Sequence, residues 1–230
     1  MMGPKRYVLI VAGGKGLRMA SEQPKQFIPI GGRPILMRTL EAFHRWDAAA
    51  SLIVVLPPEY RMYWSELCKS FACKIPHRVV PGGDTRFQSV RNGLKFVDGP
   101  GLVGVHDGVR PFVSSEVIEA CFAQAARYGA AVPVLPVTDS LRELVPGGWK
   151  SRQADRSRFV TAQTPQVFWS KLLCDAYRQP YRREFTDDAS VVEAMGVYVH
   201  TVEGNRENLK ITSPSDLSLA EALLHISRSV

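Results

Sequence analysis

Long apolar runs are missing from this chain. Nowhere do about 18 consecutive apolar residues occur, so no segment has the pattern of a membrane-spanning helix. Cysteine is scarce: Cys68, Cys73, Cys121 and Cys174 form no C-x-x-C pair, and their spacing suits neither a zinc site nor a disulfide framework. Reduced thiols and a cytoplasmic location are expected. The opening residues Met1 to Arg6 carry charge but no separate apolar stretch and no small-residue cleavage site, so no signal peptide is read. Internal repeats, low-complexity segments, a long basic block and an RNA-binding aromatic motif are also absent.

What is present fits a globular chain. Of 230 residues, 45% are hydrophobic, and 29 Lys and Arg stand against 22 Asp and Glu, a net charge of +7. That balance excludes a disordered polyelectrolyte, and a chain this long buries about 70–75% of its unfolded surface. The cations are spread along the chain, which favours small anionic ligands over a polynucleotide. Nucleic acid and membrane are therefore not expected as partners.

Short β-rich runs alternate with helix-period segments. Tyr7 to Ala12, Leu52 to Leu56, Arg78 to Val80, Leu102 to His106 and Ala131 to Leu135 read as buried strands. Pro34 to Trp46, Glu59 to Phe71 and Arg86 to Phe96 read as helices. Ser114 or Ser115 caps another through Arg127, and Ser213-Pro214-Ser215-Asp216 opens the last. Asp187 and Asp188 read as a further helix start. The alternation implies an α/β fold: a Rossmann-like, mostly parallel sheet sandwiched by helices. Residues 1–230 are expected to form one domain. Within it, 138–160, charged and interrupted by Pro146-Gly147-Gly148, reads as a protruding β-arm used in dimerisation.

The chemistry gathers where strands end. The first strand runs into Ala12-Gly13-Gly14-Lys15-Gly16-Leu17-Arg18-Met19, in which bare amides can form an anion-binding concavity. It is not a Walker A loop, because no Gly-Lys-Ser/Thr follows at the required spacing. It is not a dinucleotide fingerprint either, because Met19 stands where the third glycine belongs. Lys25, in Pro24-Lys25-Gln26, adds a cation. Three further polar clusters, Pro81 to Arg86, His106 to Pro111 and Thr138 to Ser140, follow strands, and Thr161 to Gln166 is read as following a fourth. In open α/β sheets that rim is where ligands bind.

Taken together, Gly-Gly-Lys-Gly-Leu-Arg-Met, Pro-Lys-Gln, Gly-Gly-Arg-Pro-Ile-Leu and His-Asp-Gly-Val-Arg-Pro resemble the sugar-phosphate nucleotidyltransferases. Thr164-Pro165-Gln166, Thr186-Asp187-Asp188-Ala189-Ser190 and the Gly204-Asn205 to Thr212 stretch narrow the resemblance to the 2-C-methyl-D-erythritol 4-phosphate cytidylyltransferases of non-mevalonate isoprenoid synthesis. It runs from about Tyr7 to Leu224. Gly108 and Val109 stand where many members read two alanines, and Ser140 where Thr is usual. The related ribitol-5-phosphate enzymes look more like Thr-Asp-Ala-Cys in the Thr186 stretch, so Asp188-Ala189-Ser190 favours the erythritol acceptor.

The resemblance implies attack of a polyol phosphate on the α-phosphorus of CTP, with release of pyrophosphate. Two anions must meet, and each pair of unit charges about 4 Å apart repels by ~4 kcal/mol at an effective dielectric near 20. Positioned cations are the remedy. By resemblance, Ala12, Gly13, Gly14 and Gly16 cradle the nucleotide, and Arg18 and Lys25 act on the triphosphate. Gly83, Asp84 and Ser89 lie where the family reads cytosine. Asp107, Gly108, Arg110, Thr164, Thr186 and Lys210 lie on the acceptor side, with Lys210 also counted as catalytic. Ser140 and catalytic Arg156 sit on the arm and reach a neighbouring subunit's site, making the active unit a homodimer. Mg2+ is expected to bridge triphosphate oxygens with waters and substrate as its ligands; its protein ligands stay unassigned, with Asp107 as the only candidate. Rival readings are transfer to ribitol 5-phosphate or another polyol phosphate, a non-catalytic CTP-binding regulator, an RNA-binding module and a Rossmann oxidoreductase.

Overall fold

The computed structural model describes residues 3–13 and 23–226. Chain order begins with β1 (Lys5–Val11), a two-residue pair β2 (Pro29–Ile30) and β3 (Arg33–Pro34), and α1 (Ile35–Trp46). Then come β4 (Ser51–Leu56), α2 (Arg61–Ser70), β5 (Arg78–Pro81), α3 (Arg86–Leu94), β6 (Gly101–Asp107), α4 (Ser115–Tyr128) and β7 (Ala130–Pro136). Two short strands, β8 (Arg142–Leu144) and β9 (Ser151–Gln153), precede β10 (Val160–Ala162) and β11 (Gln166–Trp169). The chain closes with α5 (Ser170–Ala176), α6 (Asp188–Glu193), β12 (His200–Glu203) and α7 (Pro214–Ile226).

The central sheet runs β7-β11-β6-β1-β4-β5, with β12 along β7 and β10 pairing with the last residues of β7. β1 lies parallel to both β4 and β6, β4 to β5, and β12 to β7. The sequence-read strands are these parallel ones. Their apolar runs are continuous because both faces are covered. On β1, Val8 and Ile10 pack with α1, α2 and α4 on one face, while Tyr7 and Leu9 pack with α3, α5 and α6 on the other. Gly104 in β6 lets α4 close in: a Cβ there would stand 3.2 Å from the Phe122 ring. A smaller cluster of Ile30, Ile35, Val109, Ile211 and Ala220 seats α7 beside the rim.

One expectation needs correction. The Thr161 to Gln166 cluster does not follow a parallel strand. β10 runs antiparallel to β7, and β11 runs antiparallel to both β6 and β7. Thr164-Pro165-Gln166 reaches the rim because β11 starts there, with Gln166 pairing with Val105. A four-residue strand carries too little periodicity to show its direction in sequence.

β8 and β9 form a separate antiparallel pair joined through Pro146-Gly147-Gly148, with Gly147 at φ 88°. Glu143 faces Arg152 across the strands at 2.8 Å. This hairpin has no core of its own: Leu144 and Val145 are exposed, and Trp149 is 99% exposed.

The structure also decides which serine caps α4. Ser114 Oγ accepts the Val117 N–H at 3.2 Å, and Ser115 is the first helical residue. Ser114→Ala is expected to lower stability by about 1 kcal/mol, read as a reduced urea midpoint, while Ser115→Ala leaves the midpoint close to wild type. Equal losses in both would show that the hydroxyl at 114 is not the cap.

Candidate active site

The ends of β1, β5 and β6 open onto a cleft of about 690 Å3. Ala12 and Gly13 leave β1, and Gly82 and Gly83 leave β5. The Ala12 N–H bonds to Val55 O at 2.9 Å, and its carbonyl accepts the buried Gln26 side-chain amide at 3.0 Å. Gln26 thereby ties the short 3-10 turn bearing Lys25 to the end of β1. Gly83 must be glycine for contact reasons: a Cβ there would fall 2.5 Å from the Gln88 Cβ. Buried Ser89, in the first turns of α3, accepts the Gly83 N–H at 3.1 Å and keeps that loop against the helix. Thr85 closes the loop as the helix cap, in a reciprocal pair with Gln88.

Asp107 is the electrostatic centre. It ends β6 and its side chain is 11% exposed. Its Oδ2 meets Lys210 Nζ at 2.9 Å and Arg110 Nε at 3.4 Å, and its Oδ1 meets Arg86 Nε at 3.6 Å. Burial alone would raise the Asp107 carboxyl, but Arg86, Lys210 and Arg110 hold it well below the usual carboxylate range.

Two loops aim these cations. Asn205 Nδ2 donates to Phe112 O at 2.9 Å, and buried Asn208 donates to Thr164 O at 2.8 Å. Arg110 Nη1 donates to Asn208 O at 2.7 Å, and the Ile211 N–H to Val109 O at 3.0 Å. The Gly204 to Thr212 stretch is thus laced to the loop after β6, which brings Lys210 to Asp107. Beneath them, buried Thr164 receives the Asp107 N–H on Oγ1 at 3.1 Å and hydrogen-bonds His106 Nδ1 at 3.0 Å. His106 Nε2 lies 3.0 Å from Arg110 O, an acceptor only. The imidazole therefore carries its proton on Nε2 and accepts the Thr164 hydroxyl at Nδ1. Burial pushes His106 down from the ordinary 6.5 to about 4.

Of the sequence-read site residues, Ala12, Gly13, Lys25, Gly83, Asp84, Ser89, Asp107 and Lys210 line this one cleft. Gly108, Arg110 and Thr164 stand behind Asp107, with the Gly108 N–H bonded to Val11 O at 2.8 Å. Thr186 is exposed and directly precedes Asp187, the cap of α6. Ser140 and Arg156 do not reach the cleft of their own chain. They line a separate hollow of about 840 Å3 at the base of the arm, where Arg156 donates to Thr138 O. Gly14, Gly16 and Arg18 lie outside the described residues.

Four contributors were not singled out from sequence. Gln26 and His106 sit inside motifs already noted, but only the fold shows them facing inward. Arg86 had a signal: a cation as the first residue of a helix opposes the helix dipole and invites a compensating partner. That partner is Asp188. Asp187 caps α6 as expected, whereas Asp188 turns its carboxylate into the core.

The described wall is charge-balanced. Lys25, Arg86 and Lys210 face Glu59, Asp84 and Asp107. Among the described residues no group of three or more His, Cys, Asp or Glu side chains forms a metal cage. Both Asp107 oxygens are committed to cations, so the one carboxylate considered for a metal does not fit that part.

Comparison with known proteins converges on one family. The family model IspD, 2-C-methyl-D-erythritol 4-phosphate cytidylyltransferase, matches residues 7–226. A Bacteroides fragilis protein named 2-C-methyl-D-erythritol 4-phosphate cytidylyltransferase is 58% identical over 95% of this chain and 99% of its own. A Porphyromonas gingivalis protein of that name is 52% identical over 97% and 99%. The crystal structure of the Thermus thermophilus protein of that name is 38% identical, with a TM-score of 0.77 over 95% of this chain and 98% of its own.

The His106 site predicts a pH dependence of stability. Its folded pKa lies below the unfolded one, so the unfolded chain binds more protons between pH 6.5 and 4. Stability held by the neutral imidazole is complete above about pH 6.5 and is lost as pH falls towards 4. Asp107 acts only below the ordinary carboxylate value of 3.8. Between pH 7 and 5 the urea midpoint should fall, and fall less in His106→Gln. Parallel falls in both proteins would exclude this assignment.

Proposed function

The chain belongs to the 2-C-methyl-D-erythritol 4-phosphate cytidylyltransferase family, and we propose that it transfers the cytidylyl group of CTP to 2-C-methyl-D-erythritol 4-phosphate. The products are 4-diphosphocytidyl-2-C-methyl-D-erythritol and pyrophosphate. One observation carries the reading within the site: a buried carboxylate clamped by Arg86, Arg110 and Lys210, set beside the glycine walls left by β1 and β5. Such a cluster is suited to receive a phosphorylated polyol next to a bound nucleotide.

In this reading Ala12, Gly13, Gly14 and Gly16 offer backbone amides to the triphosphate, and Gly83, Asp84 and Ser89 frame the base. Lys25 and Arg18 stabilise charge building on the α-phosphate as the acceptor's phosphate oxygen attacks in line and pyrophosphate leaves. Asp107, Gly108, Arg110, Thr186 and Lys210 orient the acceptor, and Thr164 supports them through Asp107 and His106. Mg2+ would accompany CTP and would supply charge to offset the phosphates; no protein carboxylate is assigned to it. Residues 138–160 act as the arm of a single nucleotidyltransferase domain. Its exposed Leu144, Val145 and Trp149 are suited to burial against a second copy, which would carry Ser140 and Arg156 to that copy's acceptor site.

Pyrophosphate release from CTP across a panel of phosphorylated polyols tests the reaction. Release is expected with the erythritol acceptor in preference to ribitol 5-phosphate, and equal efficiency with UTP or ATP would refute the base assignment. Lys25→Ala should cut turnover by about 10²–10³; near-normal turnover would remove Lys25 from this role.

The arm has its own test. Arg156→Ala should raise KM for the acceptor more than KM for CTP. Mixing inactive Lys25→Ala with Arg156→Ala subunits should restore activity, because one site of the mixed dimer keeps both side chains. Mixtures no more active than the average of their parents would place Arg156 in its own subunit's site.

A further inference from the structure

A chain of buried polar contacts leads away from Asp107 into the core. Arg86 Nη2 reaches Asp188 Oδ2 at 2.6 Å, and the Tyr177 hydroxyl donates to Asp188 Oδ1 at 2.6 Å. Asp188 is fully buried and Tyr177 is 2% exposed, and neither lines the cleft. The Asp188 N–H is itself held by Gln166 Oε1 at 2.9 Å, and Gln166 Nε2 donates to Asp187 Oδ2 at 2.8 Å. The start of α6, the start of β11 and the end of α5 thus fix one carboxylate against one guanidinium.

The arrangement is costly for a purely structural role. Arg86 is the first residue of α3, where the helix dipole disfavours a cation. A buried ion pair of this kind is often less stabilising than apolar residues of the same volume. What it provides is aim. Arg86 is shared: one edge is anchored to Asp188 at 2.6 Å, and Nε is left 3.6 Å from the Asp107 carboxylate. The anchored guanidinium opposes Arg110 and Lys210, which pull on the other oxygen of Asp107.

We infer that Tyr177 and Asp188 are positioning residues, which set the Arg86 guanidinium so that Asp107 stays oriented among its three cations. This rests on the proposed cytidylyl transfer and assigns residues outside the cleft a part in it. The groups facing Asp107 are Arg86 from α3, Arg110 and His106 from the β6 end, and Lys210 from the loop after β12. Those facing Asp188 are Arg86, Tyr177 and the neighbouring Asp187.

Tyr177→Phe is the discriminating variant, because its ring stays stacked on Phe87 at 4.6 Å between centroids. Steady-state pyrophosphate release would be measured against pH for wild type, Tyr177→Phe, Asp188→Asn, Arg86→Ala and the Tyr177→Phe/Arg86→Ala double variant. Tyr177→Phe should lower kcat/KM for the acceptor about tenfold, leave KM for CTP within about twofold, and move the acid limb of the acceptor profile to higher pH. Asp188→Asn should act in the same direction and more strongly. In the Arg86→Ala background Tyr177→Phe should add nothing. A Tyr177→Phe enzyme with lowered melting temperature but unchanged acceptor kinetics and acid limb would overturn the inference and leave the reaction intact. An inactive wild type would instead refute the reaction.

Discussion

A carboxylate buried at the end of a parallel strand must find cations or give up its charge. Asp107 meets that constraint with Arg110, three residues on, and with Arg86 and Lys210 from distant parts of the chain. Much of the rim is arranged to satisfy it. The loop after β12 is stitched to the loop after β6 so that Lys210 arrives, and α6 is placed so that Asp188 holds Arg86. One negative group thereby orients three positive ones, which would otherwise repel each other and spread into solvent.

The division of charge around the cleft follows. The described wall balances three cations against three carboxylates. It works as a rigid, pre-aimed surface more than as a reservoir of positive potential. Pre-aimed cations of this kind suit a reaction in which both partners are anions and positioning supplies most of the acceleration.

The parallel half of the fold was legible because both faces of its strands are buried, leaving continuous apolar runs such as those of β1 and β4. Helix starts were legible where side chains cap them, as at Ser114, Asp187 and Ser213. Antiparallel β11 was not, since four residues cannot reveal direction. Individual site residues followed motif and position: Lys25, Asp107 and Lys210, read from separate motifs, line one cleft. The Arg86–Asp188 pair was not legible, although Arg86 ends a noted polar cluster and Asp188 stands at a noted helix start, because neither residue names its partner. Only the fold, which brings residues 102 apart to within 2.6 Å, gives the pair meaning.

The most direct measurement is the kinetics of Asp107→Asn, a change that keeps shape and removes charge. The account predicts a folded protein in which KM for the acceptor rises and kcat falls by about 10² or more, with KM for CTP little changed. Turnover and acceptor KM close to wild type would contradict it, since three cations would then be in place without the carboxylate that is said to gather them.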